Sequence, residues 1–162
     1  MLPDQLKEHP VAAALDVHDA SAITGGTDDF GQLALHIEPS KIVSVCEFLR
    51  RDQKFNRLSA VTAVDWYPVE PRFEIVYQLH SMERNKRLRL KSRVSGENAE
   101  IDSICSVWRG ADWYEREIFD LFGVNFRNHP NMTRILMPEG WPGHPLRKDY
   151  PVHGYKYSYQ NE

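Results

Sequence analysis

Only two of the 162 residues are cysteine, and Cys46 and Cys105 stand far apart with no C-x-x-C spacing. A zinc ribbon, an iron–sulfur centre or a disulfide framework has no sequence to rest on, and both thiols read as buried and inert. No apolar run approaches the ~18 residues of a membrane span. G-x-x-x-x-G-K-[ST], a strand-linked G-x-G-x-x-G and G-x-S-x-G are all missing, which removes phosphate cradles and the hydrolase nucleophile elbow. Charge of one sign is lacking too. Twenty Lys and Arg against 23 Asp and Glu leave a net charge of -3, too little for a general attraction to nucleic acid or anionic lipid. The first residues, Met1-Leu2-Pro3-Asp4-Gln5, have neither the basic start nor the apolar stretch of a secretion signal, so a cytoplasmic location is expected.

What is present suits one packed domain. A chain of this length buries roughly 70% of its unfolded surface, enough to stand on ordinary packing. A short apolar cluster at Val11-Ala12-Ala13-Ala14-Leu15 predicts a small helix, and Thr24-Gly25-Gly26-Thr27-Asp28-Asp29 a loop. Leu33, Leu35 and Ile37 alternate as in a half-buried strand, stopped by Pro39. A helix follows, with Ser40 as cap and Ile42, Val43, Cys46 and Leu49 on one face. Three more strands are predicted over 58–66, 73–80 and 87–94, with Phe73, Ile75, Tyr77 and Leu79 facing one way. The spacing predicts a further helix over 112–122, ended by Gly123. The fold class is α+β: two layers, a mostly antiparallel sheet with packed helices, over 1–123.

The tail, 124–162, follows other rules. It holds Pro130, Pro138, Pro142, Pro145 and Pro151, half of all prolines in the chain, and shows neither helical nor strand period. Extended, irregular backbone is expected. Yet the tail also carries Phe126, Trp141, Tyr150, Tyr155, Tyr157 and Tyr159, six rings whose full burial would cover about 900 to 1,500 Å². Such a segment reads as a docking strap on a partner, or as a tail folded back over its own sheet.

Candidate chemistry is sparse. His129, His144 and His153 lie in loop sequence without metal-ligand spacing. Arg116 and Asp120 are an i, i+4 pair of opposite charge, while Glu115 and Glu117 point about 160° apart on a helix. Glu117 and Asp120 share a face, where pairing with a partner's basic residues is a better reading than acid/base hydrolysis. Arg87, Arg89, Lys91 and Arg93 alternate along one strand as a basic stripe. RNA binding would call for stacking rings, and the outward residues of the neighbouring strand, Glu74, Val76, Gln78 and His80, supply none.

Three runs carry a resemblance: Glu115-Arg116-Glu117-Ile118-Phe119-Asp120-Leu121-Phe122-Gly123-Val124, then His129-Pro130-Asn131 with Arg134-Ile135-Leu136-Met137-Pro138, and Pro145-Leu146-Arg147-Lys148-Asp149-Tyr150-Pro151. Together they closely resemble the 30 kDa-type subunit of proton-translocating NADH:quinone oxidoreductase, respiratory complex I. Weaker likeness extends upstream through Phe48-Leu49-Arg50 and Ala63-Val64-Asp65-Trp66-Tyr67. Two departures stand out. Asn128 replaces the family's usual Gly, and can supply the same left-handed backbone. Thr133 stands where a basic residue or proline is common.

The resemblance implies a non-catalytic assembly subunit of the hydrophilic arm, peripheral on the cytoplasmic side of a bacterial inner membrane, with no catalytic, cofactor or metal residue of its own. Its partner would be the 49 kDa-type quinone-site subunit, with FMN and iron–sulfur clusters held by other subunits, no nucleic acid and only indirect membrane contact. The implied docking residues are Glu115, Arg116, Glu117, Asp120, Gly123, His129, Pro130, Arg134, Trp141, Arg147, Lys148, Asp149 and Tyr150. Related hydrogenase, formate hydrogenlyase and F420-linked dehydrogenase complexes use a homologous subunit and remain alternatives, as do a freestanding RNA-binding domain and a small hydrolase built on Glu117 and Asp120.

Overall fold

Alternating apolar residues become a three-strand meander: β3 (Arg57–Asp65), β4 (Phe73–Ser81) and β5 (Lys86–Val94). The computed structural model describes residues 6–154; the expected burial of Tyr155, Tyr157 and Tyr159 lies outside them. β4 occupies the middle of the meander, pairing antiparallel with Val61 to one side through Tyr77 and with Leu90 to the other. Ahead of the meander come α1 (Pro10–His18), β1 (Ile23–Asp29), β2 (Gln32–Ile37) and α2 (Ile42–Arg51). The sheet order is β1-β2-β5-β4-β3, and only the β2–β5 pair is parallel. The α+β, mostly antiparallel reading is what the chain adopts.

Two local expectations change. The stretch around Gly25-Gly26 is the edge strand β1, not a loop. Gly26 answers to crowding: a Cβ there would sit 2.6 Å from the Ala34 carbonyl oxygen and 2.7 Å from Leu6 Cδ1. The reversal comes later, at Phe30-Gly31, where both residues have positive φ, as a two-residue hairpin loop requires. Ser40 makes no capping hydrogen bond. α2 is instead entered through a 3₁₀ turn at Pro39–Lys41, and it buries Ile42, Val45, Cys46 and Leu49 against the sheet.

Past the meander lie β6 (Glu100–Asp102), α3 (Ala111–Phe122) and β7 (Asn125–Arg127). β6 and β7 form a small parallel ladder that the sequence does not announce, because three residues are too few to display a period. It carries the core beyond the expected division at Gly123: Val124 and Phe126 are buried in the same cluster as Tyr77 and Leu49. Irregular backbone begins after Arg127. The sheet thus has one face on the core, through Phe73, Ile75, Tyr77 and Leu79, and a second carrying the alternate residues. Among the described residues no helix is long and apolar enough to cross a membrane.

Candidate functional site

An α-helix leaves its last four carbonyls without intrahelical donors, and the last turn of α3 has no basic residue to meet them. The irregular segment supplies what is missing. Gly123, in the left-handed conformation at φ 73°, donates its N–H to Phe119 O. His144 Nδ1 donates to Asp120 O at 2.9 Å, Leu146 N–H to Leu121 O at 3.0 Å, and Arg147 Nε to Phe122 O at 2.6 Å. Four successive carbonyls are closed in this way, three of them from residues 144–147. The tail is therefore the C-terminal cap of α3. Burial, reinforced by the charges of Arg147 and Arg134, holds the His144 imidazole below its ordinary pKa, so the ring caps as a neutral donor.

Asp120, on the same turn, faces inward and is fully buried. Its Oδ2 accepts the N–H groups of Ile135, Leu136 and Met137 at 2.7–3.0 Å, and its Oδ1 accepts Arg134 Nη1 at 2.8 Å. Burial pushes its pKa up, but these donors outweigh it and hold the carboxyl below the usual range. Arg116 does not pair with Asp120 as i, i+4 spacing suggested. Asp120 points under the tail, so Arg116 reaches over it to Thr133 O and Arg134 O, with its guanidinium 5.3 Å from the Trp113 ring centre. Nor do Glu117 and Asp120 share a pocket: Glu117 is exposed and Asp120 is not, which dismantles the proposed carboxylate pair.

A second fastening joins the tail to the sheet. Arg72, immediately before β4, donates Nε and Nη2 to the two oxygens of Asp65 at 2.8 Å, and Nη1 and Nη2 to the two oxygens of Asp149 at 2.9 and 2.6 Å. Lys148 takes part through its backbone, its N–H reaching Asp65 Oδ2 at 2.8 Å. The guanidinium groups of Arg72 and Arg147 lie 4.9 and 5.2 Å from the centre of the Phe73 ring. Burial would raise the Asp65 pKa, but Arg72 and the Lys148 and Tyr67 amides overcome that and bring it to about 2. Asp149 is held low chiefly by Arg72. Further along, Trp141 Nε1 donates to Tyr150 Oη, which donates to Pro142 O.

Glu115 heads a third group. Fully buried, it accepts Ser103 Oγ–H at 2.6 Å, Ile104 N–H at 2.8 Å and the Cys105 thiol at 3.4 Å, and desolvation raises its pKa. Cys105, Glu115 and His129 together have three side-chain types that bind metals, with ligand atoms within 4.8 Å of one another. His129 Nδ1 accepts the Asn131 N–H at 3.0 Å, which assigns the ring proton to Nε2. That nitrogen lies 3.3 Å from Asp112 Oδ1 and 3.8 Å from Glu115 Oε2 without completing a hydrogen bond to either. Burial pushes the Cys105 thiol up to about 12. As it stands, Ser103, Ile104 and Cys105 donate to Glu115, and a metal here would have to displace the thiol proton.

Of the expected docking residues, Glu115, Asp120 and His129 lie inside the chain, and Arg134, Arg147 and Asp149 are bonded within it. Glu117 and Pro130 are exposed, Gly123 is the helix terminus, and Asn128 has φ 61°, the left-handed backbone expected of it. Asp65 and Arg72 are not among the expected residues. Their signal in the sequence is a pair of opposite charges at the two ends of one hairpin connection, across the Asp65–Phe73 rung. Ser103 and Asp112 carry none. Among the side chains that the fastened segment and α3 leave outward are three large apolar ones, Trp113, Leu136 and Leu146, each at least half exposed.

Comparison with known proteins supplies the context. The family described as respiratory-chain NADH dehydrogenase, 30 Kd subunit, matches residues 35–156. An NADH-quinone oxidoreductase subunit of Geobacter sulfurreducens is 43% identical over 151 residues, covering 93% of this chain and 88% of that one. Its counterpart in Cereibacter sphaeroides is 44% identical over 157 residues, covering 95% and 76%. Among solved structures, a chain of an archaeal respiratory membrane complex, the membrane-bound sulfane sulfur reductase, superposes with TM-score 0.70 at 27% identity, over 86% of this chain and 84% of that one. A trypsin-resistant fragment of Nqo5 shares the fold with TM-score 0.65 at 24% identity, over 74% and 96%.

Proposed function

The chain belongs to the 30 kDa-subunit family of respiratory-chain NADH dehydrogenases, and from that premise we propose that it is a non-catalytic subunit of the hydrophilic arm of a proton-translocating NADH:quinone oxidoreductase. In this reading it seats on the 49 kDa-type subunit beside the quinone pocket, peripheral to the membrane on its cytoplasmic side. Flavin and iron–sulfur clusters belong to partner subunits. The observation that carries the reading is that Asp120, Arg134, Arg147 and Asp149 fasten residues 128–154 to the chain's own helix and hairpin, while three large apolar side chains beside them, Trp113, Leu136 and Leu146, stand at least half exposed. Buried anchors hold a rigid apolar surface, which suits stable association because little ordering entropy is left to lose on binding.

The role of the expected docking residues divides accordingly. Asp120, Arg134, Arg147 and Asp149 shape the surface by holding the strap in place. The apolar side chains, with Arg116 and Trp141 beside them, meet the partner. The test is purification of the tagged chain from its native membranes in mild detergent, as wild type and as Leu136→Asp with Leu146→Asp. Wild type is expected to bring flavin- and cluster-bearing subunits with NADH-to-quinone activity, and the variant to bring neither. Equal recovery from both would remove the surface from consideration. A second reading draws on the likeness to a chain of the sulfane sulfur reductase complex: the same docking within an assembly that takes electrons from another donor, which the co-purifying subunits would identify.

A further inference from the structure

The sheet face turned away from the core is an unusual surface for a chain of net charge -3. Arg87, Arg89, Lys91 and Arg93 stand along β5, directly opposite His80, Gln78, Val76 and Glu74 of β4, with His36 of β2 beside Lys91. Glu74 is the single carboxylate among these residues, and it is taken by Lys91 at 3.2 Å. Arg87, Arg89 and Arg93 form no ion pair among the described residues. Nε of Arg89 and both Nε and Nη2 of Arg93 are shielded from water and donate to nothing. At the β4–β5 turn the stripe runs into a cavity of about 800 Å³ lined by Arg84, Lys86, Arg87, Arg89 and His9, with neither Asp nor Glu in its lining. The Nδ1 atom of His9 is likewise without a partner.

Guanidinium groups in this state are matched best by carboxylates, which accept their fork of donors two at a time. We infer that the open sheet face is a second docking surface, and that its occupant is an acidic protein segment of another subunit, lying along β5 with side-chain carboxylates on Arg89 and Arg93 and its end in the cavity. The inference rests on the reading of this chain as one subunit of a larger assembly. Nucleic acid fits less well, since stacking rings are what a sheet adds for bases. Trp66 is the ring at this edge, and its face is already occupied by the Arg93 guanidinium, 5.6 Å from its centre.

The experiment is site-specific photocrosslinking in the assembled complex purified from native membranes, with the crosslinking amino acid at Gln78 on the face and, separately, at Leu136 on the strap. Gln78 is expected to crosslink to an Asp- or Glu-rich segment of a neighbouring subunit. That product should be lost in Arg89→Glu with Arg93→Glu and kept in Arg89→Lys with Arg93→Lys, while the Leu136 product survives in both and reports that the chain is folded and seated. A Gln78 product with RNA or lipid, or a protein product indifferent to charge reversal, overturns the inference. Crosslinking from Leu136 but not from Gln78 overturns the second surface alone. No product from either position overturns the subunit reading and the inference with it.

Discussion

Two carboxylates on one helix, five residues apart, are buried to the same extent and held in opposite protonation tendencies by their surroundings. Glu115 has a raised pKa because burial outweighs its donors, and Asp120 a lowered one because three amides and a guanidinium outweigh burial. The sequence shows both as charged helix residues, since helix spacing gives the direction of a side chain but not what another segment brings to it. A group whose pKa rises on folding favours the fold below its unfolded pKa and loses that contribution as pH climbs through the folded value. Glu115→Gln should therefore hold or raise the thermal midpoint at about pH 8 and lose this advantage towards about pH 4, as melting curves at the two pH values will register. Asp120→Ala leaves four donors without an acceptor, one of them charged, and should cost about 3–5 kcal/mol in urea unfolding. Asp120→Asn keeps one carbonyl oxygen and should fall between.

At the scale of elements, α3 and the segment after Arg127 are one unit, because each completes the other's hydrogen bonding. Gly123 shows the coupling. Its φ of 73° disfavours any side chain, and a Cβ there would stand 2.5 Å from His144 Cδ2. Gly123→Ala should thus destabilise by more than the ~1–2 kcal/mol of left-handed strain alone, and limited proteolysis should cut within 128–154 before the core. Acid should loosen the same segment. Asp65, Asp120 and Asp149 all have lowered pKa values, so their contribution is full above about pH 4 and is lost as pH falls through the folded values, about 2 for Asp65. The backbone NMR signals of Ile135, Leu136 and Met137 should shift as acid protonates Asp120, below the ordinary carboxylate range. The meander and α3 were legible because Phe73, Ile75, Tyr77 and Leu79 alternate in plain view and Gly123 marks a stop. β1 was hidden because Gly25 and Gly26 read as a turn, though packing against Leu6 and β2 is what requires a glycine there.

For the whole molecule, sequence reading gave the tail its extended character but left open where it rests, since proline content says how a backbone runs and not what it touches. Its anchors turn out to lie in the chain's own helix and hairpin. A chain ending at Arg127 would leave three carbonyls of α3 uncapped, Asp120 without its donors and Arg72 without Asp149. Such a truncation is expected to lower the thermal midpoint clearly, whereas a strap that merely trailed from a finished domain could be removed without effect. Calorimetry of the two chains decides between them.

The bond between Arg72 and Asp149 spans 77 positions of sequence, and this separation has a bearing on biosynthesis. A growing polypeptide emerges N-terminus first and tends to fold in that order, so the hairpin that holds Arg72 is available long before the ribosome has made residue 149. Until then the outward row of Leu136 and Leu146 has no fixed arrangement to offer. A nascent chain therefore holds this surface unfinished until residue 149 has been made and can close on Arg72.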